Sequence, residues 1–134
     1  MSPLTITKKF VDAINSNDAN KMAELMTENH TFIDADGSEH SRRENMRKGW
    51  KEHFKLIPDL NIKILEHFEK GNTVMLYGIA KGTIMDKGEL KVENHWQVPA
   101  AWRVVVENGK VAIWQLFASQ EEMIKIYERI KKAK

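Results

Sequence analysis

An aspartate that directly follows a short apolar run is the residue best placed to do chemistry in this sequence. The stretch FIDADGSEH runs from Phe32 to His40, and Asp34 stands where a strand containing Phe32 and Ile33 should end. A carboxylate at an apolar pocket mouth is desolvated, which favours its protonated form and makes it a better general base. Aspartate and glycine are also common turn residues, so Asp34 could instead shape the DADG turn. Both interpretations of Asp34 stay open, and we interpret Asp36 as a turn residue.

Neither the acidic turn nor the histidines have the spacing of a metal site. A calcium loop that began at Asp34 would need a glutamate at its twelfth position, which is Asn45. The five histidines lack the paired spacing that is typical of zinc ligands. We therefore predict no metal and no cofactor. His53 lies beside the apolar stripe of a predicted helix, where it could face a cavity or simply lie at the helix edge.

The composition limits the class of protein. The chain has 134 residues, a net charge of +2 and no cysteine, which excludes disulfides and thiol chemistry. So small a charge, without a basic arm or an RNA-reading motif, predicts no binding to nucleic acid. No apolar run is long enough to cross a membrane, and the N-terminal segment lacks the apolar core of a signal peptide. We expect a single domain over residues 1–134, located in the cytoplasm and without membrane contact.

Helical patterns occupy the first half of the chain. Apolar residues at helical spacing predict a first helix that contains Ile6 and follows an N-cap at Thr5, and then a short second helix. Ser41 and Glu44 form a capping box that should open a third helix. Pro58 should end this helix, because the residue before a proline is disfavoured in the helical conformation.

From Leu60 onward the apolar period becomes two, which is typical of strands. Turn sequences separate four predicted antiparallel strands, and the Asn-Gly pair in ENGK is a strong hairpin signal. Pro99 should cause a bulge or bend, because proline cannot donate to the strand ladder. Ser119 and Glu122 form a second capping box before a C-terminal helix. This order predicts an α+β fold, in which a curved antiparallel sheet wraps as a cone around three N-terminal helices and a fourth helix follows.

Three segments resemble a known superfamily. FVDAINSNDANKMAELMTENHTF resembles its opening helix pair, RRENMRKGWKEHFKLIPDL its third helix, and WRVVVENGKVAIWQLFAS its last hairpin. In this order they resemble the nuclear transport factor 2-like superfamily, specifically its SnoaL-like and ketosteroid isomerase-like branch. The resemblance implies a cystatin-like cone with a pocket for a small hydrophobic ligand. It does not specify a reaction, because this fold hosts isomerases, cyclases, hydrolases and non-catalytic subunits.

The resemblance places the general base of ketosteroid isomerase on Asp34. In that enzyme the base acts with two oxyanion donors, a tyrosine and a protonated aspartic acid. The matching positions are Phe10 and Ala101, which carry no donor, and the catalytic aspartate of SnoaL-type cyclases matches Gln115, which cannot act as a base. One interpretation is an isomerase-like or cyclase-like enzyme with Asp34 as base. The alternative is a non-catalytic ligand-binding or dimerisation module of the same fold.

Strand parity, helical spacing and the resemblance together predict which side chains line the pocket, with Asp34 at its rim. Alternate residues of a strand face opposite sides of the sheet, so one set on each long strand should face the helices. Tyr77 would bring one hydroxyl to this pocket, unless it is a core tyrosine bonded to backbone. The predicted ligand-binding residues are Phe10, Trp50, Tyr77, Ile79, Pro99, Ala101, Ile113, Gln115 and Phe117.

The same parity predicts an apolar outer face on the sheet, formed by Trp102, Val104, Trp114 and Leu116. A face this apolar is unfavourable in water, so we predict a homodimer in which two sheets stack through it. Lysines and arginines cluster around the third helix. They are interpreted as a solvated helix face, with recognition of an acidic ligand at the pocket rim as the alternative.

Overall fold

The computed structural model describes residues 1–133, which form four α-helices and one six-stranded sheet. The helices are α1 (Pro3–Asn15), α2 (Ala19–Glu24), α3 (Arg43–Leu56) and α4 (Glu121–Lys132). The strands are β1 (Met26–Ile33), β2 (Glu39–Ser41), β3 (Asn61–Lys70), β4 (Thr73–Thr83), β5 (His95–Glu107) and β6 (Lys110–Ala118). No helix in the described part of the chain is long and apolar enough to span a membrane.

The sheet has the strand order β2-β1-β6-β5-β4-β3 and curves around the helices. This arrangement confirms the predicted α+β fold with three N-terminal helices, a curved sheet and a C-terminal helix. One detail differs, because β1 pairs with β6 in parallel, whereas the other neighbouring strands are antiparallel. A parallel pair needs a long connection, and α3 together with the β3–β5 meander provides it here.

The first and third helices begin differently from the prediction. Ser2, not Thr5, is the N-cap of α1, and its Oγ accepts a hydrogen bond from the Thr5 N–H at 3.1 Å. The capping box predicted for α3 is wrong, because Arg42 is the N-cap and makes no side-chain capping bond. Ser41 instead belongs to β2, where its hydroxyl lies 2.9 Å from the hydroxyl of Thr31. Pairing of the short β1–β2 hairpin therefore takes precedence over the capping motif.

The region around β5 confirms the predicted hairpin and shows no bulge at Pro99. Asn108 and Gly109 have φ values of 50° and 74°, which suits the tight turn between β5 and β6. Pro99 causes no bulge, and it lies in register opposite Ile79 on β4. The pairing of β5 with β6 starts only at Ala100, so no β6 residue pairs with Pro99.

The predicted assignment of strand residues to the inner and outer faces of the sheet is inverted. Trp102 and Trp114 are 2% and 1% exposed and face the helices, whereas Tyr77 and Phe117 are 44% and 46% exposed on the outer face. Strand side chains alternate with a period of two, so a slip of one residue inverts every assignment. The largest apolar side chains gain most from burial, which explains why the tryptophans rather than Ala101 face inward.

Candidate functional site

A cavity of about 500 Å³ lies between the concave face of the sheet, α3 and the start of α4. This volume is within the range of pockets that bind small organic molecules. Most of its wall is apolar, and the bulkiest groups are indole rings. The apolar lining residues are Phe32, Met46, Trp50, Leu60, Ile62, Ala80, Trp96, Val98, Trp102, Trp114, Leu116, Ala118 and Met123.

Polar side chains enter this cavity from three places in the chain. Asp34 and His40 come from the β1–β2 hairpin, His53 comes from α3, and Ser119 and Gln120 lie between β6 and α4. Ser41 and Asn45 also line the cavity, and we call the five residues named first the polar cluster. Within residues 1–133, no three histidine, aspartate or glutamate side chains are placed to hold a metal ion. The side chains of the cluster can donate and accept hydrogen bonds, and its carboxylate and imidazoles can exchange protons.

Asp34 makes a turn with its backbone and faces the cavity with its side chain. Its N–H donates to the carbonyl of Ser38, and its carbonyl accepts from the N–H of Gly37, both at 2.9 Å. The carboxylate Oδ1 accepts from the Ala35 N–H at 2.7 Å and from Gln120 Nε2 at 2.9 Å. Oδ2 has no hydrogen-bond donor among residues 1–133. One oxygen is thus held in place, and the other is available to a ligand.

Gln120 is a site residue that the sequence analysis did not identify. It occupies the N-cap position of α4, yet its side chain makes no capping bond and reaches Asp34 instead. The parallel pairing of β1 with β6 explains this contact, because Ile33 lies beside Gln115 and the two strands end at the same edge. Recognising that pairing would have predicted that residues after β6 meet Asp34.

The helix α4 that carries Gln120 is anchored at its far end. Ile126 is 2% exposed, and Arg129 Nη2 donates to the carbonyl of Glu93 at 2.8 Å and to Asn94 Oδ1 at 2.5 Å. These contacts fix the helix against the segment that precedes β5. The Gln120 amide is therefore held next to Asp34 by the packing of the whole helix.

His53 lies in the cavity on the same face of α3 as Gly49 and Trp50. Its ring packs edge-to-face on Trp50, with 5.6 Å between ring centroids and 87° between the planes. Burial lowers the pKa of His53 below its ordinary value of 6.5, and the negative charge of Asp34 partly opposes this. Of the two positions that the sequence left open for His53, the structure shows the one that faces the cavity.

The predicted ligand-binding residues fall into two groups. Trp50 lines the cavity, as expected from the helical spacing of α3. Phe10 does not line it, since it is completely buried and packs against Trp114 with 5.0 Å between ring centroids. Seven further residues belong to the outer face of the sheet, because the assumed register was wrong. These are Tyr77, Ile79, Pro99, Ala101, Ile113, Gln115 and Phe117.

The inverted strand faces also change which catalytic positions of the family can be matched to this chain. Ala101 and Gln115 were matched to catalytic aspartates, yet both side chains point away from the cavity. Gln115 Oε1 instead accepts a hydrogen bond from Arg103 Nη1 at 3.3 Å on the outer face. The buried neighbours of these positions, such as Trp102 and Trp114, occupy the cavity wall. Asp34 is the one matched polar position that the structure places in the cavity.

Solved structures share this fold. A protein with a ketosteroid isomerase-like fold from Catenulispora acidiphila, solved in complex with trimethylamine, superposes with a TM-score of 0.78 and 19% identity, over 93% of this chain and 92% of that chain. A protein from Shewanella denitrificans, described as a proposed SnoaL-like polyketide cyclase, has a TM-score of 0.81 and 9% identity over 95% and 97% of the two chains. At these identities the likeness concerns the fold.

A third structure and the family comparison extend this result. AclR from Streptomyces galilaeus, proposed to be a hydroxylase, has a TM-score of 0.74 and 15% identity over 94% of this chain and 81% of that chain. No curated protein matches the chain. Residues 7–114 match the family model of the SnoaL-like domain, which is well over half of the sequence. The match and the shared cone confirm the resemblance, and the chain belongs to the SnoaL-like domain family.

Proposed function

We propose that the protein is an isomerase-like or cyclase-like enzyme that acts on a small, largely apolar carbonyl compound. Asp34 is the general base, and it removes a proton from the carbon next to the carbonyl. The observation that carries this proposal is the state of its carboxylate, in which Oδ1 is held by Gln120 and Ala35 while Oδ2 has no donor among the residues that the structure describes. A base needs a fixed position and a free lone pair, and this arrangement supplies both.

The cavity suits a substrate with a flat hydrocarbon body and one polar end. The tryptophan rings offer large apolar faces, and the polar cluster around Asp34 offers hydrogen-bonding groups. Structures with this fold include proteins proposed to be polyketide cyclases. We do not propose efficient steroid isomerisation. Phe10 and Ala101 carry no donors, and each missing oxyanion donor typically costs about 100- to 1,000-fold in rate.

The reaction step is balanced within the site. Asp34 Oδ2 takes the proton, the C–H electron pair forms a carbon–carbon double bond, and the carbonyl π electrons move to oxygen. In a substrate with a C=C next to the ionised carbon, the enolate is a dienolate, which regains the proton from Asp34 at the far carbon as the carbonyl re-forms, and this is isomerisation. Otherwise the enolate carbon attacks a second carbonyl within the same molecule, and the oxygen of that carbonyl takes the proton from Asp34, which is cyclisation. Neither route needs an oxidant or a reductant.

Deuterium exchange tests this proposal without knowledge of the natural substrate. Beta-tetralone and related cyclic ketones are incubated with the protein in deuterium oxide, and incorporation next to the carbonyl is followed by NMR. General-base catalysis typically contributes about 100- to 10,000-fold, so Asp34→Asn should lose most of the catalysed exchange. Asp36→Asn is the matched control, because Asp36 is an exposed residue of the same turn. Equal exchange by wild type and Asp34→Asn would contradict the proposal.

A second candidate is binding of an alkylammonium ion without catalysis. Trp50, Trp96, Trp102 and Trp114 line the same cavity as the Asp34 carboxylate, and indole faces together with a negative charge attract such cations. The Catenulispora acidiphila protein was solved with trimethylamine, which has this chemistry when protonated. Titration with trimethylammonium chloride, monitored by tryptophan fluorescence, tests this candidate. Saturable binding that Asp34→Asn weakens, in a protein without ketone exchange, would favour it over the enzyme.

We infer in addition that the protein forms a homodimer through the outer face of the sheet. Its residues differ from those first predicted, and exposed aromatic rings lie on it beside polar side chains such as Arg103 and Gln115. Tyr77, Ala101 and Phe117 lie in one row across β4, β5 and β6, so that two half-exposed rings flank a small side chain. A second copy of this face could insert its own rings over the alanine. Aromatic rings exposed side by side favour contact with a second apolar surface.

Light scattering at micromolar concentration tests the dimer. We expect a dimeric mass for wild type and a monomeric mass for Phe117→Asp. Leu65→Asp is the matched control, because Leu65 is a similarly exposed apolar residue on the edge strand β3, outside the row. A monomeric wild type, or an equal effect of both substitutions, would contradict an interface at this face.

A further inference from the structure

His53 places an imidazole in the cavity whose nitrogens are free of protein partners. His30, His40 and His95 each have a hydrogen-bonding partner for a ring nitrogen, at 2.7, 3.3 and 2.9 Å respectively. In the part of the chain described by the structure, His53 has none. Its ring is nevertheless fixed by edge-to-face packing on Trp50. A fixed ring with free nitrogens is suited to a hydrogen bond with a ligand.

The electrostatic surroundings keep this imidazole neutral but able to donate. The titratable groups that line the cavity are Asp34, His40 and His53. Burial lowers the pKa of His53, while the charge of Asp34 raises it by a smaller amount. At neutral pH the ring therefore carries one proton, so that one nitrogen donates and the other accepts.

The proposed reaction needs a donor that the family's usual positions lack. Negative charge develops on the substrate oxygen when Asp34 takes a proton, and donors aimed at that oxygen are usually the largest catalytic contribution. Phe10 lies in the core and Ala101 faces outward, so neither position can be the source. We propose that His53 is a second catalytic residue, whose N–H donates a hydrogen bond to this oxygen.

This inference rests on the proposed function and adds one interaction to it. The proton moves from substrate carbon to Asp34 Oδ2, as described above, and the electron pair ends on the substrate oxygen. His53 keeps its proton throughout and strengthens its hydrogen bond as the oxygen becomes charged. The carboxylate and the imidazole thus have different tasks, the first as base and the second as donor.

Binding of para-nitrophenolate tests the donor directly. This anion has a charged oxygen on a flat ring, like the enolate, and its absorbance reports binding. Asp34→Asn serves as the background, because it removes the negative charge that would repel the anion. A hydrogen bond to a charged group corresponds to about a tenfold to hundredfold change in affinity. We expect Asp34→Asn/His53→Phe to bind that much more weakly than Asp34→Asn, and His53→Gln to restore most of the affinity.

His67→Phe is the matched control, because His67 is exposed on β3 and does not line the cavity. It should leave the affinity unchanged. A second readout needs no substitution at His53. In isotope-labelled Asp34→Asn protein, the imidazole NMR signals of His53 should shift when phenolate saturates the site, whereas those of His67 should not.

The outcomes separate this inference from the proposed function. Equal phenolate affinity with and without His53, unshifted His53 signals, or no binding to Asp34→Asn would overturn the donor role. Loss of ketone exchange in Asp34→Asn would still support the base. Conversely, exchange that does not depend on Asp34 would overturn the proposed function, on which the donor role depends.

Discussion

Two aspartates in this protein have opposite uses, although both follow the end of a secondary-structure element. Asp59 follows α3, and its two oxygens accept from the N–H and the hydroxyl of Thr83, each at 2.7 Å. Asp34 follows β1, and within the described part of the chain only its Oδ1 has donors. The first carboxylate connects the end of α3 to the end of β4. The comparison shows that the oxygen left without a donor, rather than the residue type, marks a candidate base.

A third polar group shows that a free atom also needs space. His30 Nδ1 lies 2.7 Å from the carbonyl of Val111, while Nε2 is buried with no partner in residues 1–133. This nitrogen resembles Asp34 Oδ2 in lacking a partner, but it lies in the closed core and His30 does not line the cavity. A ligand can therefore form a hydrogen bond with Asp34 but cannot reach His30. Protonation of the buried His30 ring would instead lower the free energy of unfolding.

The largest effect on stability that we predict from this comparison is that of Asp59→Ala. The substitution removes two hydrogen bonds from a charged group and leaves the N–H of the buried Thr83 without its partner. We expect a loss of about 2 kcal/mol in the free energy of unfolding. Asp34→Asn retains an oxygen acceptor and should change it by less than about 0.5 kcal/mol. Urea denaturation of the two variants measures both values. Equal losses would contradict the different roles assigned to Asp59 and Asp34.

Replacing Gln120, which donates to Asp34, by an acceptor should change the pH dependence of the exchange without removing the base. Gln120→Glu would place a second carboxylate at the position that now donates at 2.9 Å. Two adjacent carboxylates resist losing both protons, so half-maximal ketone exchange should move to higher pH by about one unit or more. Gln120→Leu separates this repulsion from the loss of the donor. An unchanged pH profile in Gln120→Glu would show that the Gln120 contact does not influence the base.

The buried His30 predicts a dependence of stability on pH. Burial lowers the pKa of His30 below its ordinary value of 6.5, so the unfolded chain binds the proton more readily. The free energy of unfolding should therefore fall as the pH drops below about 6.5, by at most about 1.4 kcal/mol per pH unit for this group. His53 acts in the same direction.

His30→Gln should reduce this acid sensitivity while keeping a side-chain donor near Val111. Urea unfolding between about pH 5 and 8 compares it with wild type. Identical slopes in the two proteins would mean that His30 is not protonated on unfolding in this range.

The smallest effect concerns Gly49, which lines the cavity from α3. A Cβ added at Gly49 would meet no atom within 4 Å, so alanine fits on α3 without a clash. Alanine is favoured over glycine in a helix interior by up to about 1 kcal/mol, so Gly49→Ala should raise the stability by this amount or less. Its methyl group would narrow the cavity and weaken binding of the bulkiest ketones first. A loss of stability would indicate that the wall at Gly49 is more tightly packed than the structure shows.

The fold could be predicted largely from local patterns, and the family match singled out Asp34 as the candidate base. Periodicity, turn residues and three characteristic segments identified the elements and their order, and Asp34 was found because it follows an apolar strand. The predicted inward and outward faces of the strands were inverted, because the family match of Ala101 and Gln115 was given priority over burial of the large tryptophans. Gln120 was missed because its contact with Asp34 bridges 86 positions and depends on the parallel pairing of β1 with β6.

The most direct measurement is the rate of deuterium exchange per folded molecule in wild type, Asp34→Asn and Asp59→Ala. If the free oxygen of Asp34 is the base, Asp34→Asn should retain its stability and lose about 100-fold or more of the catalysed exchange. Asp59→Ala should lose stability and keep its exchange once corrected for the folded fraction. Retention of exchange in Asp34→Asn, or its specific loss in folded Asp59→Ala, would contradict this account.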